Sequence, residues 1–89
     1  MKQAAKQKVL RRLAIIEGQV RGLARMVEED AYCIDVITQA SAVRQALSSV
    51  EDTVLEGHLS TCVVAQMKSG AHERATEEIL SVYKIAKRK

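Results

Sequence analysis

Three observations predict an all-α chain of three helices with a long central one. The 89 residues contain no Pro, no Phe, no Trp and only two Tyr, although 47% are hydrophobic, so the core must be aliphatic. Apolar residues recur at alternating steps of four and three, the signature of a helix with one buried seam. Glycine occupies only four positions, and the stretch from Ile34 to Glu56 holds neither Gly nor Pro, so nothing there signals a turn. A chain this short reads as one domain over 1–89, and it buries only a modest core unless it associates with further copies.

The first helix is expected over about 3–28, where Val9, Leu13, Ile16, Val20, Leu23 and Val27 form the seam. Gly18 and Gly22 interrupt the residue type but not the period, and small residues there permit close helix packing. Asp30 is the expected N-cap of the second helix, which sets Cys33 in its first turn, where free N–H groups and the helix dipole favour a thiolate. That helix is expected over about 31–68, with a seam of Val36, Ala40, Val43, Leu47, Val50 and Val54. Ile34, Ile37, Leu55 and Leu59 add a second apolar edge, wider than one neighbouring helix needs, which argues for association between chains. Ser69-Gly70 reads as a helix stop. A third helix is expected over about 71–87, with Ala75, Ile79, Val82 and Ala86 on one face.

The net charge of +3 is mild, but its placement is not. Lys2, Lys6, Lys8, Arg11 and Arg12 crowd the start and Lys84, Lys87, Arg88 and Lys89 the end, a pattern that suits a polyanionic partner. Lys8, Arg11 and Arg12 lie to one side of the first seam, where they form either a phosphate-binding stripe or an ordinary solvated face. No apolar run approaches the ~18 residues of a membrane span, and the start lacks a signal-peptide stretch, so a cytoplasmic, non-membrane protein is expected. In a reducing compartment two cysteines are ligands, redox groups or buried thiols rather than a structural disulfide.

His58 and Cys62 stand at i, i+4, one turn apart on one helix face, a spacing that suits two ligands of one ion. Cys33 lies 25 residues before His58; along one straight helix that is roughly 37 Å, too far for any ion to bridge. Either the helix breaks between 34 and 57, or Cys33 of one chain meets His58 and Cys62 of another. The missing turn signals favour the second, with two antiparallel helices giving two equivalent sites per dimer. Two thiolates and an imidazole form a soft donor set. Three such donors suit low-coordinate Cu(I), whereas a fourth ligand from Glu78 or water would suit zinc. A Cys–His nucleophile pair is the enzymatic alternative, but no Gly-rich loop or oxyanion-forming turn accompanies it. His72 has no cysteine near it in sequence and reads as solvated. No helix-turn-helix is visible, so DNA binding would need an assembled helical surface.

Arg12-Leu13, the run Glu17-Gly18-Gln19-Val20-Arg21-Gly22-Leu23, Tyr32-Cys33-Ile34-Asp35-Val36, Thr38-Gln39, Gly57-His58-Leu59 and Cys62 together resemble the copper-sensing CsoR family of bacterial repressors. The similarity covers nearly the whole chain. It implies an all-helical dimer of dimers that represses operons through double-stranded operator DNA until its inducer binds. Copper sensors of the family carry Cys, His and Cys at the positions of Cys33, His58 and Cys62. Nickel and cobalt sensors recruit extra histidines near the N-terminus and at the Cys62 position; formaldehyde sensors use a processed N-terminal proline where this chain has Lys2. Persulfide sensors keep both cysteines and generally lack the histidine. The resemblance therefore implies Cu(I) as inducer and a homotetramer, with a reactive-sulfur sensor or a copper-buffering protein without DNA binding as alternatives. It further implies that Tyr32 and, by spacing, Glu78 couple metal to DNA release, and that Arg12 is the best-matched DNA contact, with acidic Glu51, Asp52 and Glu56 thinning the positive surface.

Overall fold

The computed structural model describes residues 1–87, so the expected cations Arg88 and Lys89 lie outside the described residues. Four α-helices follow in order: α1 (Gln3–Glu28), α2 (Cys33–Gly57), α3 (Val64–Ser69) and α4 (His72–Ala86). A π-helical turn, His58–Val63, fills the interval between α2 and α3. Helical structure is thus continuous from Cys33 to Ser69, and the chain has the expected three helical segments with a long central one. The alternative of a break between 34 and 57 is not what forms. The chain divides into two compact units, Met1–Glu56 and Gly57–Lys89.

In the first unit α1 and α2 pair as an antiparallel hairpin, with Arg12 near the start of α1 bonded to Ser49 and Thr53 late in α2. Val9 and Ile16 pack with Val43 and Val50, and Ala46 lies against them. The seam differs from the expected one by one position in every other step. Along the seam the covered positions in α1 are Ala5, Val9, Arg12, Ile16, Gln19, Leu23 and Met26, with Gly18 and Gly22 half-buried beside them; in α2 they are Val36, Gln39, Val43, Ala46, Val50 and Thr53, with Ser41, Ser48, Leu55 and Gly57 half-buried as well. Leu13, Val20 and Val27, expected inside, are 38%, 48% and 59% exposed, and Leu47 and Val54 are exposed likewise. The expected and observed seams share the same four-three period and the same central residues. Apolarity alone favours one neighbour at each alternate step, whereas the hairpin seats Arg12, Gln19, Gln39 and Thr53 there.

The turn between α1 and α2 also corrects the expected N-cap. Asp30 has φ 55°, in the left-handed region. Its N–H donates to Val27 O and the N–H of Ala31 donates to Met26 O, so it closes the C-terminus of α1 in a Schellman motif. Asp tolerates this conformation better than most side chains, which is why the helix ends there without a glycine. α2 starts three residues later, and the carbonyl of Tyr32 accepts its first N–H bonds, from Asp35 and Val36.

The second unit is a shorter helical pair joined at Gly70, φ 83°, again with the Schellman pattern: Gly70 N–H to Met67 O and Ala71 N–H to Gln66 O. The expected stop at Ser69-Gly70 forms where the sequence placed it. Ala75 is the buried anchor of α4, while Ile79 on the same expected face is exposed.

Candidate metal-sensing and DNA-binding sites

The chain stops being regular α-helix at His58. Gly57 lacks a side chain to hold it in register, and the hydroxyls of Ser60 and Thr61 both donate to its carbonyl, at 3.3 and 2.6 Å. Such side-chain donors compete with the backbone for the helical acceptor, and a single π turn is a common outcome at functional positions. His58 and Cys62 both lie on this turn. Thr61 Oγ1 also lies 3.8 Å from Cys62 Sγ, so Cys62 has a hydroxyl beside its thiol.

His58 is tied to α4. Its Nε2 is 3.2 Å from Glu78 Oε2, both side chains being about one third exposed. Gln66 Nε2 donates to the same oxygen at 3.0 Å, and Arg74 Nε donates to Oε1 at 3.3 Å. The Gln66 hydrogen bond is the largest influence on Glu78; together with the Arg74 bond and charge and the His58 charge it outweighs desolvation and holds this carboxyl below its ordinary value. An ionised carboxylate only accepts, so the ring nitrogen facing it carries a proton, and whenever the ring is neutral Nδ1 is the nitrogen with the lone pair. Gln66 Oε1 is buried without a partner. Turning the amide over would aim that carbonyl at the carboxylate, so the Nε2-to-Glu78 orientation is the one the charges select.

Cys33 is the first residue of α2, and Cys33 and Cys62 are both free, exposed thiols. Tyr32, directly before Cys33, is exposed. Among the described residues no group of three or more His, Cys, Asp or Glu side chains within the chain is brought together to hold a metal ion. The donors themselves fit a soft ion: two accessible sulfurs and an imidazole whose second nitrogen is already committed to a carboxylate, the usual arrangement behind a metal-bound histidine. His72 is exposed, with Nε2 3.3 Å from Met67 O.

Of the expected DNA-binding cations, Lys8 and Arg11 are exposed. Arg12 is not on a solvated face: it is half-buried in the α1–α2 seam, its Nη1 donating to Ser49 Oγ at 2.9 Å and Thr53 Oγ1 at 3.2 Å. The first turn of α1 carries no acidic residue and Lys2 serves as N-cap without a side-chain bond. Lys2 and Lys6 stand at this positive end of the dipole, where a cation is unfavourable by about 0.3–1 kcal/mol.

Sequence reasoning missed Gln66, Arg74, Ser49, Thr53 and the π turn. Two of these had a local signal: the turn, where the Gly57 carbonyl is followed at three and four residues by hydroxyl side chains, and Arg74, four residues before Glu78 on one helix. Gln66 lies 12 residues from Glu78, and no periodicity within one helix links them.

The family model described as metal-sensitive transcriptional repressor matches residues 5–85. This chain belongs to that family. The metal-sensitive transcriptional repressors are a family of regulators and not of enzymes. The copper-sensing transcriptional repressor CsoR of Bacillus subtilis is 47% identical over 79 residues, covering 89% of this chain and 78% of that protein. The copper-sensing transcriptional repressor RicR of Mycobacterium tuberculosis is 47% identical over 85 residues, covering 92% and 88%. Among solved structures, the copper-sensing repressor CsoR with Cu(I) from Geobacillus thermodenitrificans NG80-2 superposes with a TM-score of 0.88 at 38% identity, over 94% of this chain and 88% of that one. The nickel-responsive transcriptional regulator InrS superposes with a TM-score of 0.76 at 35% identity, over 88% of each.

Proposed function

We propose that this family member is a Cu(I)-responsive repressor, a single metal-sensing and DNA-binding domain that holds double-stranded operator DNA in its metal-free form and releases it when Cu(I) binds. The observation that carries the reading is the His58–Glu78 pair, which leaves Nδ1 of His58 as a donor one turn from the exposed thiol of Cys62. Cys33, at the far end of an unbroken α2, completes the set from a second copy of the chain. Cu(I) would supply a soft acid that joins two thiolates and an imidazole in one low-coordinate sphere. The copper-sensing relatives, one of them solved with Cu(I), support the choice of metal.

The chain's own residues provide the coupling. Glu78 sits on α4 and His58 on the π turn, so any change in the orientation of the His58 ring is felt by α4 through one hydrogen bond. Tyr32, adjacent to Cys33, is the second coupling residue on this reading. Lys8, Arg11 and Arg12 supply phosphate contacts from α1. The exposed apolar edge of α1 and α2 is the surface through which two copies form a dimer and dimers a homotetramer. No helix among the described residues is long and apolar enough to cross a membrane, and the expected location is the cytoplasm.

The test is anaerobic titration of the DNA-bound protein with Cu(I) under a competing chelator, following release by fluorescence anisotropy. Release near one Cu(I) per protomer supports the reading. Tight copper binding with DNA retained, together with a disulfide- or polysulfide-linked dimer on a non-reducing gel, would assign the exposed thiols to a reactive-sulfur inducer instead.

A further inference from the structure

Besides His58, Glu78 has two donors, one on each carboxylate oxygen. Arg74 lies on the same helix, one turn before it, is largely exposed, and bonds Oε1. Gln66 reaches across from α3, and its amide donates to Oε2, the same oxygen that faces His58 Nε2. Of the two, only Gln66 is anchored inside, with its Oε1 shielded from water and unpaired. An amide held there with one end unsatisfied is explained by what its other end does: it fixes the oxygen on which His58 depends.

From this geometry we infer that Gln66 is a positioning residue of the switch, orienting the Glu78 carboxylate so that His58 keeps its Nε2 proton bonded and presents Nδ1. The inference rests on the copper reading for its purpose but not for its geometry. Without the Gln66 amide the carboxylate has one remaining protein donor besides His58, Arg74, and turns toward it and away from the ring. The metal ligands are untouched, so binding of the ion and its transmission to α4 separate: affinity stays, coupling falls.

Gln66→Met keeps the length of the side chain and removes the donor. In the metal-free protein, NMR of the imidazole groups reads whether the Hε2 proton of His58 is held long enough to be seen, at a pH well above the imidazole range. We expect the resonance in the wild type, its loss in Gln66→Met and its retention in Arg74→Gln. With Cu(I), the Met variant should bind within about tenfold of the wild type while the copper-induced weakening of DNA binding falls toward none. Persistence of the resonance in Gln66→Met, or its loss only in Arg74→Gln, overturns the assignment. Should the Met variant not fold, Gln66→Asn, whose amide falls one carbon short, provides the same reading. If the wild type does not bind Cu(I), the copper reading fails while the metal-free spectrum still decides the role of Gln66.

Discussion

Replacing Arg12 by Met separates two roles that this residue combines. The guanidinium is bonded to Ser49 and Thr53 across the hairpin, and the aliphatic stem fills a seam position that Met fills equally well. The substitution therefore removes hydrogen bonds without opening a cavity. Bonds from a charged donor contribute about 1.5–3 kcal/mol each when well buried, but one nitrogen serves both acceptors here and Ser49 is exposed. Thr53 also keeps its own bond to the Ser49 carbonyl at 3.1 Å, so the substitution leaves no hydroxyl stranded. The expected destabilisation is about 1–2 kcal/mol in all, read as a lower urea midpoint with an unchanged slope. DNA binding supplies the second axis. If Arg12 also meets a phosphate, the slope of log affinity against log salt becomes shallower by about 0.9 for each phosphate it no longer neutralises; if it is only a clamp, the slope stays and affinity changes with stability alone. An Arg12→Met protein as stable as the wild type would refute the argument that the guanidinium ties α1 to α2.

Further expectations concern the turn, the carboxylate, the histidine and the assembly. Gly70→Ala should cost about 1–2 kcal/mol in thermal or urea unfolding, because φ is 83° and an added Cβ would meet nothing within 4 Å, leaving backbone conformation as the whole penalty. Glu78 is more acidic in the folded chain than its ordinary value of 4.5, so the stability it confers is fully present above that value and is lost as pH falls through the lower folded one; in Glu78→Gln the acid limb of a stability–pH curve should flatten accordingly. His58→Ala should retain much of the Cu(I) affinity through the two thiolates yet impair DNA release, and normal copper-driven release by this variant in anisotropy would sink the coupling scheme. If the exposed apolar edge is covered by another copy, a tenfold dilution removes about 1.4 kcal/mol from a dimer, so calorimetry should show a midpoint that falls with each dilution; a concentration-independent midpoint would count against assembly.

The helix limits of α1 and the stop at Gly70 were legible because each has a local cause: an unbroken apolar period, and a residue that alone tolerates the left-handed turn. Asp30 shows the limit of that logic. Its residue type suits both an N-cap and a left-handed C-terminal position, and the distance to the next helix decided between them. Cys33, His58 and Cys62 stood out as candidate donors by type and spacing, and Glu78 was expected beside them by spacing and resemblance; of these four the structure pairs His58 with Glu78. Gln66 was not legible at all, since its role depends on which rotation of α4 faces α3, whereas Arg74 stands four residues before Glu78 and was open to an i, i+4 reading. The seam failed for a related reason. Periodicity locates a stripe on a helix to within a neighbouring position, and the more apolar candidate at 13, 20, 40, 47 and 54 was not the one the partner helix covers.

That displacement has a functional consequence. A hairpin that packed Leu13, Val20, Leu47 and Val54 inward would bury more apolar surface within one chain and leave Arg12, Gln19 and Thr53 in water. The observed hairpin does the reverse: it spends seam positions on polar residues, which fix register at some cost in stability, and turns the larger aliphatics outward. Only Val9, Ile16, Val43, Val50 and Ala75 are buried hydrophobics among the described residues, a small core for a chain of 89 residues. On the proposed reading this arrangement serves the switch. On it, apolar residues kept on the outside would make folding depend on a second copy, and the same second copy would supply the thiol that completes the metal site. Arg12, held by Ser49 and Thr53 rather than free on the surface, has its position set by the register of α1 against α2.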